Sequence, residues 1–307
     1  MHALAYGVGA LGERLGFPAD AVTELQCQAE RAGADSVFMA ELSRWQQLLP
    51  EKEWPASEER DALLSPWAQA LGMPPETLAL LALLSACPGL KAAYDRRGIP
   101  ADVYWDGLSD FRSKLLECRE IRGINGTFVP GWFQGLFRLQ RFGVGRFQYN
   151  METLEKDYPL PDGRVIPAGA FKVGCHIPSH GSALTDAVRM DSYRRAHQFF
   201  APRLYQGLLI VSCSSWLMYP AHPQFLPKDS RVLRFMSDFD LIGQKEQEGF
   251  PDGWRVFGRA WGAPYAALPE DTSLQRAYKQ WLLQRGVTGR GFGLMVFDGE
   301  RIINPHP

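Results

Sequence analysis

The sequence lacks any apolar run long enough to cross a bilayer. A membrane-spanning helix needs roughly 18 or more predominantly apolar residues, and the apolar stretch at 79–86 is much shorter than that. The N-terminus has no basic segment followed by an apolar block, so we expect no signal peptide. We therefore expect no membrane partner and a cytoplasmic location.

An excess of positive charge is also missing. The chain carries 33 Lys and Arg against 34 Asp and Glu, a net charge of −1. This balance gives no electrostatic basis for binding nucleic acid or an anionic lipid surface. The five cysteines are scattered without a C-x-x-C pair, which argues against a disulfide framework or a zinc site and for reduced thiols. We expect no bound metal.

What the chain does contain is two halves of different character. Its 46% hydrophobic content suffices for a sizeable core. Residues 1–123 are predicted to form a helical N-terminal domain, because short breaks separate apolar stripes at helical spacing. A proline opens several of these helices, and Pro88-Gly89 is predicted to interrupt one. We find no catalytic constellation in this half.

Residues 124–307 are predicted to form a second domain built on a sheet. Strands are expected at 136–142 and 146–151 around a glycine turn, and again at 173–177, where apolar residues alternate. The run at 208–213 is continuously apolar, which is typical of a strand buried on both faces. A further strand is predicted at 254–261, and a loop at 286–293. The expected fold class is α+β.

The stretch from Lys172 to Phe200 organises this second domain. A strand leads into the small, polar loop Ser179-His180-Gly181-Ser182, and a helix with apolar residues at helical spacing follows. Backbone N–H groups at such a loop and helix start have no partner within the helix, and the helix dipole favours negative charge there. The pattern predicts a site for a phosphate or another anion.

Signature residues of the second half resemble a known family. They are His176-Ile177-Pro178, Gly181 with Leu184, Ser192 with Ala196 and Phe199-Phe200, Ser214-Ser215-Trp216-Leu217 with Pro220, and Leu226 to Ser230 followed by Phe235 and Phe239. In these residues the chain resembles the C-terminal domain of a bacterial N-acyltransferase family with a GNAT-like fold (Gcn5-related N-acetyltransferase-like). The first half resembles the helical N-terminal domain of the same family. The resemblance implies a mixed, mainly antiparallel sheet flanked by helices.

The resemblance also implies a co-substrate and a partner. The co-substrate would be acetyl-CoA or another acyl-CoA, and the partner a small-molecule amine that receives the acyl group directly. The family loop is usually Gln/Arg-x-x-Gly-x-Gly/Ala, and here Pro178 stands at its first position while the glycine and the final alanine are kept. The residues expected to bind the diphosphate of the acyl-CoA are Ile177, Ser179, His180, Gly181, Ser182, Ala183 and Leu184.

Four residues are the candidates for catalysis. Acyl transfer to an amine needs a base for the ammonium group and an acid for the departing thiolate. His176 ends the strand before the loop and is a candidate base. Glu152, with Glu155 beside it, follows the hairpin strand and is the other candidate. The resemblance places a hydroxyl for the thiolate after the next strand, at Ser215 or Tyr219. Structural roles compete in each case: a histidine held by loop backbone, a solvated strand end, and a helix N-cap at Ser215.

Two other functions stay open at this point. The first is a non-catalytic module that binds acyl-CoA or another ligand on the same fold. The second, weaker one is a hydrolase using Cys213 or Ser214, for which no G-x-S-x-G elbow exists in the sequence.

Overall fold

A computed structural model describes residues 3–51 and 57–304 of the chain. The chain folds into two compact units, Met1–Gly143 and Val144–Pro307. The junction between the units falls about 20 residues after the boundary expected at 123/124. That boundary stays a prediction, since compactness alone does not decide where one domain begins to fold by itself.

The first unit is helical. Its helices are α1 (Ala3–Arg14), α2 (Ala19–Gly33), α3 (Ser36–Leu48), α4 (Ser57–Leu71), α5 (Pro75–Arg96), α6 (Ala101–Arg122) and α7 (Gln134–Phe137). Its core is formed around α5, whose residues from Thr77 to Leu84 are all buried. The break predicted at Pro88 is wrong. Cys87 and Leu90 on either side of it are buried, so packing offsets the hydrogen bond that proline removes from the helix.

Helix α5 is long and apolar enough to cross a membrane by length and composition alone. Within the described part of the chain, 67% of its most apolar 18-residue window is buried. Burial of that extent is typical of the core helix of a globular unit.

The second unit combines a mixed sheet with helices, which confirms the predicted α+β class. Strand β1 (Arg141–Val144) lies at the junction of the two units. The further strands are β2 (Phe147–Thr153), β3 (Tyr158–Pro159), β4 (Val165–Ile166), β5 (Phe171–His176), β6 (Leu209–Ser215), β7 (Asp240–Glu248) and β8 (Val287–Phe297). The helices are α8 (Asp186–Phe200), α9 (His222–Phe225), α10 (Arg231–Met236), α11 (Trp254–Phe257) and α12 (Ser273–Arg285). The main sheet has the order β1-β2-β5-β6-β8-β7, and β3 pairs with β4 in a separate ribbon.

One strand pair of the main sheet is parallel. Strands β2 and β5, β6 and β8, and β7 and β8 run antiparallel, whereas β5 and β6 run parallel. The parallel pair has only two rungs, Val173 with Val211 and Gly174 with Ser212. Beyond these rungs β5 continues to His176 and β6 to Ser215 without pairing with each other. The two strands therefore diverge at their carboxyl ends and open the middle of the sheet.

The two faces of the sheet differ. Helix α8 covers one face, where the Tyr149 hydroxyl lies 3.0 Å from Ser192 Oγ and the Phe147 ring stacks on Tyr193. The opposite face has an apolar cluster around Ile210 beside the β3–β4 ribbon. Towards the divergence of β5 and β6 that face becomes polar. Because paired residues of neighbouring strands share a face, the side chains of Glu152, Lys172 and Ser212 lie together on this polar strip.

Three segments differ from the sequence-based expectation. The predicted strand at 254–261 is instead the short helix α11 followed by a 3₁₀ turn. The predicted loop at 286–293 is wrong, since the chain from Val287 onwards is β8. The predicted strand at 136–142 begins only at Arg141, after helix α7.

Candidate active site

The segment 177–185 joins the end of β5 to α8 and is largely exposed. Helix α8 begins at Asp186, and the Thr185 side chain accepts a hydrogen bond from the Val188 amide as its N-cap. Gly181 has φ +144°, a backbone conformation that favours glycine, and a Cβ there would lie 3.3 Å from Arg146 Cζ. The polar turn expected from the sequence is therefore present.

Two arginines hold the carbonyl groups of this loop. The Arg146 guanidinium donates from Nε to the Ser182 carbonyl at 2.8 Å and from Nη2 to the Pro178 carbonyl at 2.8 Å. Arg189, on α8, donates from Nη1 to the Leu184 carbonyl at 3.1 Å. Three loop carbonyls are thus turned towards protein donors.

The amides of the loop are left available by this arrangement. Within the described part of the chain, no hydrogen bond is donated by the backbone N–H groups of Ser179, Gly181, Ser182, Ala183 and Leu184. The first N–H groups of α8 add to them, because the first turn of a helix has no internal partners for its donors. Donors clustered at the positive end of a helix dipole favour an anion such as a diphosphate.

His176 lies at the tip of β5, on the polar face of the sheet. It pairs with Gln148 of β2 and is half-buried, with its Nε2 atom buried. Among the other histidines, His222 is fully buried against Tyr278, and burial lowers the pKa of its imidazole to about 4, so it is neutral at pH 7. The His197 Nε2 atom lies 2.8 Å from the Gly207 carbonyl. Of these three histidines, only His176 lies next to the strand divergence.

A cluster of three polar side chains lies on the same face, across β2, β5 and β6. The Glu152 Oε2 atom is 3.1 Å from Lys172 Nζ and 3.3 Å from Ser212 Oγ. The Lys172 Nζ and Ser212 Oγ atoms are 3.4 Å apart. The Glu152 Oε1 atom lies over Gly174, so close that a Cβ there would overlap with it. One carboxylate oxygen therefore sits at the last rung before β5 and β6 diverge.

The structure brings Glu152 and His176 to one region. The Glu152 carboxylate lies over Gly174, which is two residues from His176 on β5. The carboxylate therefore lies within about 7 Å of the His176 Cβ atom. The two candidate bases line the same opening. Glu155, the neighbouring alternative, follows the end of β2 and is exposed.

Ser215 and Tyr219 are not part of this group. The Ser215 hydroxyl accepts a hydrogen bond from the Leu217 amide as an N-cap. The Tyr219 hydroxyl donates to Glu246 Oε1 at 3.0 Å. Burial, and to a smaller extent this hydrogen bond, raises the pKa of the phenol to about 12. Their register places Ser215 and Glu246 on the face opposite to His176. Their role at the thiolate stays a prediction.

The hydrolase alternative finds no support at Cys213. The Cys213 thiol is buried in β6, and burial raises its pKa to about 12, which keeps it protonated and poorly nucleophilic.

The sequence did not point to Lys172, Gly174, Arg189 or Ser212 as site residues, and Arg146 was not among the candidates. A lysine flanked by the apolar Phe171 and Val173 on a strand was the available signal, since a charge buried in a sheet needs a partner. That partner follows only from the strand register.

Comparison with known families agrees with this architecture. The model of the N-acyltransferase N-terminal domain matches residues 9–139, and that of the GNAT-like C-terminal domain matches residues 141–295. The chain belongs to this N-acyltransferase family. The resemblance inferred from the sequence is thereby confirmed. No match to this N-acyltransferase was found among curated protein sequences.

Solved structures share the fold of this N-acyltransferase over most of its length. An acyltransferase crystallised with decanoyl-CoA has a TM-score of 0.68 and 22% identity, covering 94% of this chain and 86% of the other. The same TM-score and coverage hold for an acyltransferase with decanoyl-CoA and teicoplanin at 20% identity, and for an acyltransferase variant with octanoyl-CoA at 19%.

Proposed function

We propose that this protein is an acyl-CoA-dependent N-acyltransferase that moves an acyl group directly to a small-molecule amine. The observation that carries the proposal is the loop at 177–185, whose carbonyls are turned towards Arg146 and Arg189 while its amides are left for an anion. The loop begins where β5 and β6 diverge. Family membership and the acyl-CoA complexes of the related structures support an acyl-CoA as that anion.

The reaction follows from the groups around the opening. The acyl-CoA diphosphate binds the loop amides of the residues predicted from Ile177 to Leu184, and the thioester lies in the gap between β5 and β6. His176 accepts a proton from the incoming amine, whose nitrogen attacks the thioester carbon. A C–N bond forms, the C–S bond breaks, and the thiolate leaves and takes up a proton from water. The acceptor is a small-molecule amine, as the teicoplanin complex of a related structure suggests.

Location is proposed on different grounds. All five cysteines are free thiols in the described structure, which suits a reducing compartment. We place the enzyme in the cytoplasm on this basis.

Binding of CoA is the first test of the proposed function. A ligand at about 100 times its Kd adds roughly 2.7 kcal/mol to the free energy of unfolding, so CoA and decanoyl-CoA should each raise the Tm by several degrees. Pantetheine lacks the diphosphate and should raise the Tm far less. Release of CoA thiol in the presence of a primary amine then separates an enzyme from a binding module. CoA binding without turnover on any amine would favour the non-catalytic alternative, and no Tm shift with CoA would reject both the enzyme and an acyl-CoA-binding module.

Replacing Arg146 with methionine tests how the loop is held. The Pro178 and Ser182 carbonyls lose their donors, and the loop is no longer fixed with its amides outward. We expect the KM for decanoyl-CoA to rise by about 10- to 100-fold, which corresponds to one or two charged hydrogen bonds, with kcat changing little. The KM for decanoyl-pantetheine should change by less than about threefold.

The matched control is Arg194→Met, which removes an exposed arginine of α8. It should leave both KM values unchanged. An equal rise of KM for the two donors in Arg146→Met would show that the loop does not act through the diphosphate.

A further inference from the structure

The cluster of Glu152, Lys172 and Ser212 joins three strands and leaves one carboxylate oxygen unused. Its carboxylate uses one oxygen for both partners: Oε2 contacts the Lys172 ammonium and the Ser212 hydroxyl. In the described part of the chain, Oε1 makes no hydrogen bond and lies over Gly174. The Glu152 side chain is 36% exposed and that of Lys172 only 12%. The carboxylate therefore faces the opening, while the lysine lies behind it.

We propose that Lys172 and Ser212 are positioning residues that hold Glu152 so that its Oε1 atom accepts a hydrogen bond from the acceptor amine in its uncharged, nucleophilic form. The inference rests on the proposed N-acyltransferase function and adds how the acceptor is recognised. Gly174 contributes to this arrangement, because any Cβ there would occupy the place of the Glu152 Oε1 atom.

The charge of Lys172 decides which form of the amine is bound. A carboxylate alone stabilises an ammonium ion and raises its pKa. A carboxylate already paired with an ammonium group still accepts a hydrogen bond, but the pair has no net charge with which to hold a cation. The acceptor nitrogen thus keeps its lone pair for attack on the thioester, and its proton goes to His176 on the same face.

Few other charged side chains of the main sheet share this face near the pair. Strand β5 contributes His176 on the same face, and β2 and β6 contribute Glu152 and Ser212 themselves. Asp240, on β7, shares the face through Leu294 of β8 and lies two strands beyond Ser212, at about 10 Å. Its carboxylate accepts a hydrogen bond from the Tyr158 hydroxyl at 2.8 Å. Lys172 is therefore the group whose removal changes the charge next to Glu152 most.

The test is the pH profile of kcat in Lys172→Met and Lys172→Arg, with decanoyl-CoA as donor and ethanolamine or hydroxylamine as acceptor. In Lys172→Met the unpaired carboxylate should stabilise bound ethanolamine as a cation, which moves the acidic limb of kcat to higher pH by about one unit. Lys172→Arg keeps the charge and should leave the limb in place. Hydroxylamine is uncharged at neutral pH, so in Lys172→Met its limb should move less than that of ethanolamine, by no more than the effect of the unpaired carboxylate on the nearby His176 imidazole.

Gly174→Ala supplies a second variant with the charges intact. It should displace the carboxylate and lower kcat/KM for ethanolamine by about 10-fold, in line with the loss of one hydrogen bond to a charged group, without moving the limb. The Kd for decanoyl-CoA should stay within about twofold in all three variants.

Other outcomes overturn the proposal. An unmoved limb in Lys172→Met, an equal movement in Lys172→Arg, or an equal movement with hydroxylamine would each show that the lysine does not set the form of the acceptor. These results would leave the proposed function standing if the wild-type enzyme transfers the acyl group. A wild-type protein that releases no thiol beyond the uncatalysed reaction of decanoyl-CoA with either amine would reject the proposed function, and this inference with it.

Discussion

Replacing His176 with alanine is expected to lower kcat by about 100- to 1,000-fold, the usual contribution of a positioned general base. His176 is at the end of β5, next to the divergence from β6 and on the same face as Glu152. An amine bound between these side chains must lose a proton as its C–N bond forms, and the imidazole is the group placed to take it. The measurement is steady-state release of CoA thiol from decanoyl-CoA with a primary amine.

Two variants make this result specific. His176→Gln keeps a polar side chain that can hydrogen-bond but cannot take a proton at neutral pH, and it should be as inactive as His176→Ala. His197→Ala removes a histidine whose Nε2 contacts the Gly207 carbonyl and should keep full activity. The Kd for CoA should be unchanged in His176→Ala, because the predicted diphosphate donors are backbone amides of the following loop. If His176→Ala kept an activity within about threefold of wild type, His176 would not be the base, and Glu152 or water would take the proton instead.

The order of elements around this histidine was accessible from the sequence, for physical reasons. Alternation of apolar residues over 173–177 predicts a strand with one buried face, and apolar residues at helical spacing after Thr185 predict an amphipathic helix. Both signals are local. The strand, the loop and α8 were therefore predicted at nearly the positions found.

Other elements were missed because packing decided them. Glycines at 289 and 291 suggested a loop, yet both lie inside β8, where Tyr219 and the Met218 backbone come so close that a Cβ would overlap with them. Glycine in a strand can mark such close approach as well as a turn. Strand β7 is an edge strand with mostly exposed polar residues, so no apolar alternation revealed it.

The cluster at Glu152 could not have been predicted from the sequence either. Glu152 pairs with Lys172 across an antiparallel register, and Ser212 joins them through a parallel pair. The connection from β2 to β5 contains the β3–β4 ribbon, so no short turn fixes the register. A shift by one residue would turn Lys172 to the face covered by α8 and separate all three groups.

Replacing Arg189 with methionine is expected to lower the free energy of unfolding by about 3–5 kcal/mol, the usual cost of removing one partner of a buried ion pair. Arg189 Nε and Nη2 contact Asp238 Oδ2 and Oδ1 at 2.6 and 3.1 Å. Both side chains are nearly buried, at 5% and 11% exposure. Without the guanidinium, the Asp238 carboxylate keeps the Tyr193 hydroxyl as a donor but loses the only opposite charge in contact with it among the described residues. Chemical denaturation should show the change as a lower midpoint at an unchanged slope.

A double variant should separate the effect of Arg189 on stability from its effect on the geometry of the loop. Arg189→Met combined with Asp238→Leu removes the unpaired charge and should recover part of the lost stability, since apolar replacement of a whole buried pair is often neutral. The recovery is partial because the buried Tyr193 hydroxyl loses its acceptor. The Leu184 carbonyl still lacks its donor in that protein, so the affinity for decanoyl-CoA should stay low. Arg194→Met, exposed on the same helix, should change stability by less than about 0.5 kcal/mol. If the double variant regained full affinity together with its stability, Arg189 would support the fold alone, and the outward orientation of the loop amides would depend on Arg146.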